Sequence, residues 1–110
     1  MVVWWGISVE VRSALARLVW TDALNAGSAA EARENLSILG ENWVEVVPSN
    51  RVRSLAETLP DRYRLRAADA FQLAAALVWS EERPHGRRFV CLNRRMAQAA
   101  REAGFEVIEG

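Results

Sequence analysis

The chain has 110 residues, 51% of them hydrophobic and 25% charged, a length that predicts one domain. A chain of this size can bury about two-thirds of its unfolded surface, so its core needs neither disulfides nor structural metal. Fourteen basic residues balance fourteen acidic ones, so no net charge draws the protein onto nucleic acid or membrane. All fourteen basic residues are arginine and 18 residues are alanine, a bias that reads as genomic base composition more than selection for phosphate binding. A lone cysteine, Cys91, excludes an intramolecular disulfide framework and a Cys-rich zinc site. The longest early apolar run, Val2-Val3-Trp4-Trp5, is too short for a signal peptide's apolar region or a membrane span. A cytoplasmic protein with no membrane partner is expected.

Met1 to Trp5 reads as a short buried strand that stops at Gly6. Ser8 is placed to cap a helix running to about Leu24, with Val11, Leu15, Leu18 and Val19 as its apolar stripe. Asn25-Ala26-Gly27 breaks it. Ser28-Ala29-Ala30-Glu31 has the form of a capping box, which predicts a second helix from Ser28 to about Leu39 with Gly40 as its stop.

Trp43 to Val47 reads as a strand closed by Pro48. Ser49 caps a helix expected to end at about Leu59, before Pro60. Arg66 to Ser80 is the most strongly helical stretch and is apolar nearly all round, as in a helix buried on most of its circumference. Residues 82–86 form a loop. Phe89 to Leu92 is a strand, Arg94 to Ala103 a helix ended by Gly104, and Phe105 to Ile108 a last strand. The order is strand, helix pair, strand, helix pair, strand, helix, strand. Helical crossovers between strands predict an α/β fold with a mostly parallel sheet covered by helices on both faces.

In such a sheet, ligands bind beyond the carboxyl ends of the strands, so the first polar residues after them matter most. Three qualify: Glu10, Asp69 and Asn93. Glu10 lies on the shoulder of its helix's apolar stripe, with Ala14 and Leu18 within about 80° of it. There a carboxylate can simply stabilise a helix N-terminus. Asp69, Gln72 and Ser80 are the only polar residues along their helix and share one narrow arc. That arc faces either water or a cleft where the carboxylate is solvated, paired or bound to metal. Asn93 is best read as the cap of the last helix, with an amide oxygen that could also help hold a hydrated metal.

No acidic residue interrupts Arg83, Arg87, Arg88, Arg94, Arg95 and Arg101, and Arg62, Arg64 and Arg66 precede the Asp69 helix. Each arginine could simply be solvated; together they could hold a phosphodiester backbone beside an acidic pocket. GxGxxG and GxxxxGK[ST] are absent, so a nucleotide reading has no phosphate loop. His85 has no ligand partner at metal spacing, Cys91 reads as a small core residue, and the five tryptophans read mostly as core, one or two as interface anchors.

The strings V-E-V-R-S-A-L, R-A-A-D-A-F-Q-L-A-A-A-L and F-V-C-L-N-R-R-M-A-Q-A-A-R-E-A-G-F-E-V-I resemble the PIN domain, most closely the VapC-type toxins of bacterial toxin–antitoxin pairs. The resemblance covers essentially the whole chain, 1–110, as a single PIN-like domain. It implies a magnesium- or manganese-dependent ribonuclease that dimerises and is inhibited by a cognate antitoxin. By position it makes Glu10 and Asp69 catalytic metal ligands and Asn93 a weak one; from the basic rim, Arg66, Arg94 and Arg95 are the expected contacts to RNA. Two departures accompany it. The family's first strand, central in its sheet and ending in aspartate, has no counterpart here, about thirty residues on the scale of a strand–helix–strand unit. Asn93 stands where the family commonly has aspartate. With fewer acidic ligands, metal binding and water activation should both weaken, which predicts a ribonuclease by descent whose activity is reduced or lost. Two alternatives stand beside it: an inactive PIN-like module that binds an antitoxin or another partner, and a helix-turn-helix DNA binder built on residues 8–39. Arg33 is the only basic residue on the latter's presumed recognition helix.

Overall fold

The computed structural model describes residues 2–91 and 93–109. Its elements follow the expected order: β1 (Val2–Trp4), α1 (Ile7–Trp20), α2 (Ala26–Gly40), β2 (Val44–Val46), α3 (Asn50–Tyr63), α4 (Ala67–Trp79), β3 (Arg88–Cys91), α5 (Arg94–Ala103) and β4 (Glu106–Glu109). The chain is mixed α/β. Its strands are three or four residues long and form two separate two-stranded ladders, β1 with β2 and β3 with β4. One continuous sheet is thus not what the described residues form. Among them, no helix is long and apolar enough to cross a membrane. Met1 and Leu92, assigned to strands by sequence, lie outside the described residues.

Residues 1–45 and 46–110 are two compact units. In the first, β1 leads into α1 through Gly6, not through a Ser8 cap. A Cβ at position 6 would sit 2.7 Å from the Trp4 indole nitrogen, so any other residue there would have to displace the Trp4 ring. Ser8 is inside the helix, where its hydroxyl accepts from the Arg12 guanidinium one turn on. α1 ends at Trp20, four residues before the expected limit, with Thr21 as its C-cap. α2 starts earlier than the capping box implied: Asn25, read as a breaker, is itself the cap, its Oδ1 accepting from the Ser28 amide at 2.8 Å. Asparagine outranks the later serine because it offers the same acceptor one helical turn sooner. α1 packs on α2; Ala29 and Leu36 are the buried apolar residues of α2, and no α1 residue is fully buried.

The second unit holds most of the core. Ser49 caps α3 as expected, its hydroxyl accepting from the Val52 amide at 3.1 Å. α3 does not stop before Pro60 but runs through it to Tyr63. The proline removes one backbone donor in the last turn. Leu59 beside it is buried, and the chain leaves through Arg64 in the left-handed conformation, φ 57°. Burying Leu59 outweighs one missing hydrogen bond.

α4 packs along α3, and α5 covers β3 and β4. The buried residues of the three helices are largely small: Ala56 on α3, Ala70, Ala74 and Ala75 on α4, and Ala97, Ala99 and Ala100 on α5. Leu73, Met96 and Val52 are the largest side chains that are fully enclosed. β3 and β4 are parallel, with Arg88 opposite Glu106 and Val90 opposite Ile108. One face of this ladder carries half-buried Phe89 and Val107, and Phe89 packs on buried Phe105 with ring centroids 5.5 Å apart. On the other face Val90 is 69% and Ile108 43% exposed.

The tryptophans are not core residues. Trp5, Trp20 and Trp79 are exposed, and Trp4 and Trp43 are half-buried. Trp20 and Trp79 are the last residues of α1 and α4, and Trp5 is in a turn, so all three fall beyond the apolar rows. Cys91 is likewise half-buried rather than enclosed.

Candidate functional site

The second unit brings Asp69, Asn93, Arg64, Arg66 and Arg95 into one neighbourhood. Asp69 is the third residue of α4, whose N-cap is Arg66 in extended conformation with no side-chain capping bond. Asn93 is the N-cap of α5. Its Oδ1 accepts from the amides of Arg95 at 2.9 Å and Met96 at 3.3 Å. These two donors fix which way the side-chain amide points, because only the oxygen can accept from them. Nδ2 therefore faces away from the helix, and it donates to Asp69 Oδ2 at 3.5 Å.

Arg95 is anchored from its far side: its Nη1 donates to the Arg64 carbonyl at 3.4 Å. Arg64 is the left-handed exit residue of α3, and its backbone conformation presents that carbonyl. No signal in the sequence singles it out, since arginine is not a residue that marks positive φ. Burial pushes the Asp69 carboxyl above its ordinary value, and the nearby charges of Arg66 and Arg95 pull the other way without cancelling the effect. Asp69 is half-buried, whereas Arg66, Arg94 and Arg95 are exposed.

The polar arc of α4 does not face water as a whole. Gln72 is half-buried, and Ser80 is buried with its hydroxyl donating to the Leu77 carbonyl at 3.1 Å. Glu10 lies in the first turn of α1, half-buried, and belongs to the other unit.

Among the described residues, no three histidine, cysteine, aspartate or glutamate side chains gather as metal ligands. Within the second unit, the other oxygen of the expected set is Asn93 Oδ1, already committed to two α5 amides. Magnesium and manganese require several oxygen ligands. Asp69 and Asn93 do not by themselves make up that set. What they do offer is a carboxylate bordered by exposed guanidinium groups, an arrangement suited to a phosphate backbone at its arginine rim.

No family model, curated protein or solved structure matches this chain.

Proposed function

We propose that this chain is a PIN-like module of VapC type, a ribonuclease by descent that engages RNA but has little capacity to cut it. The observation that supports this reading is the state of Asp69. Its carboxylate is half-buried, bordered by Arg66 and Arg95, and accepts from the Asn93 side-chain amide, where a metal site would offer a second carboxylate. Arg66, Arg94 and Arg95 would hold RNA phosphates through charge-assisted hydrogen bonds, which act on any sequence. Residual cleavage, where present, would depend on Glu10 and Asp69. On the same reading, the parallel β3–β4 ladder corresponds to part of a wider PIN-like sheet.

The test is a titration of the full chain with fluorescently labelled single-stranded RNA, followed by incubation of the same RNA with protein and manganese. Binding that weakens in Arg66→Ala and Arg95→Ala, with slow or no cleavage, is the expected result. Brisk manganese-dependent cleavage abolished by Asp69→Asn would return the chain to the active nucleases. Binding that both arginine variants leave intact would remove RNA from the account.

A second reading, a module that binds a cognate antitoxin through apolar contacts, draws on α1. Val9, Leu18 and Trp20 are exposed there, and Trp20 is of the residue type most enriched among interface anchors. Co-purification with the antitoxin, lost in Trp20→Ala, is its test.

A further inference from the structure

We infer that Asn93 keeps a divalent cation off Asp69 by turning a hydrogen-bond donor, not an oxygen, toward its carboxylate. The inference rests on the reading above only in taking Asp69 as the acidic centre. Asn93 Oδ1 is held by the Arg95 and Met96 amides, so the group turned toward Asp69 is Nδ2, 3.5 Å from its Oδ2. A side-chain amide nitrogen has no lone pair to give a metal, and here it donates to the carboxylate that would hold one. It acts as a neutral stand-in that satisfies the carboxylate without charge. Arg66 and Arg95 add positive charge on the same carboxylate, which further disfavours a cation there.

Aspartate caps helices about as well as asparagine, so it could keep one oxygen on the α5 amides. Its second oxygen would then replace Nδ2 and face Asp69. Two carboxylates a hydrogen-bond length apart repel each other unless a proton or a cation lies between them. The same position would change from a donor that excludes a cation to a ligand that favours one.

Manganese chloride is the probe, its free concentration read by electron paramagnetic resonance, with the full chain as native protein, Asp69→Asn, Asn93→Asp and the double variant. Native protein and Asp69→Asn should take up manganese equally weakly. Asn93→Asp should bind about tenfold more tightly or better, an effect expected of one added charged ligand, and the double variant should lose the gain. Asn93→Asp should also melt below the native protein in chelator and recover when manganese is added. Manganese uptake by the native chain that Asp69→Asn removes would overturn the inference, as would a folded Asn93→Asp with no tighter binding. Should Asn93→Asp not fold, the comparison of native protein with Asp69→Asn decides alone. RNA plays no part in these readouts, so the cation inference and the RNA-binding reading can fail separately.

Discussion

The guanidinium of Arg95 reaches back across the second unit to the backbone carbonyl of Arg64, 3.4 Å away, at a residue held in the left-handed conformation. A non-glycine residue there costs on the order of 1 kcal/mol. Arg64→Gly removes that strain while leaving the carbonyl that Arg95 uses. It should raise stability by several tenths to about 1 kcal/mol in urea unfolding, net of the added freedom of the unfolded chain. Arg64→Val should lower it. An unchanged midpoint in both variants would mean that the left-handed turn is not strained.

Gly104 predicts the opposite sign. It ends α5 at φ 111°, and a Cβ there would lie 3.0 Å from Pro84 Cγ. Gly104→Ala therefore meets both a disfavoured backbone and a close neighbour. A loss of about 1 kcal/mol or more is expected by thermal or urea unfolding.

Leu73 is fully enclosed and Trp20 is 76% exposed, although tryptophan is the larger side chain. Leu73→Ala should cost about 2–5 kcal/mol, and Trp20→Ala within about 0.5 kcal/mol. Circular dichroism melts of the two variants check the ranking, and a reversal would relocate the core.

Asp69 makes stability depend on acid in a particular direction. Its carboxyl is raised by burial, so the folded chain holds this proton more tightly than the unfolded chain does. Stability from this residue is then greatest below the unfolded value and falls as pH rises toward the raised folded value, levelling off above it. Asp69→Asn has no such proton. The stability difference between variant and native protein should shift in the variant's favour through the acid range and then become constant. Urea midpoints measured at stepped pH give this curve, and a flat difference would contradict the burial of the carboxyl.

The arginines can be separated by salt. If Arg94 and Arg95 each contact one phosphate, replacing either by alanine should reduce the slope of log affinity against log salt by about 1. Anisotropy titrations with single-stranded RNA at several salt concentrations measure it. Equal slopes for native and variant proteins would place these side chains away from the phosphates.

What could be read from the sequence was mostly local. Ser49, Asn93 and Gly104 act through hydrogen bonds or dihedral preferences within a few residues, and each performs the expected role. The order of strands and helices follows from the same local signals. At Asn25 and Pro60 two local rules compete: a breaker can also be a cap, and a proline in a last turn is tolerated when its neighbour Leu59 is buried. The exposure of Trp20 and Trp79 and the left-handed Arg64 depend on what lies across space, which residue type does not specify. At the candidate site, the residue types at 69 and 93 were legible. The direction of the Asn93 amide was not, because it is set by two backbone donors in a helix that must first exist.

The alanine-lined contacts among α3, α4 and α5 also constrain how this sequence can drift. Ala74 and Ala100 are fully enclosed, so an added branch at either must be accommodated by moving the atoms packed against it. Innovation in such a scaffold is channelled outward, onto loops and exposed faces, while its interior is held nearly frozen by lack of room.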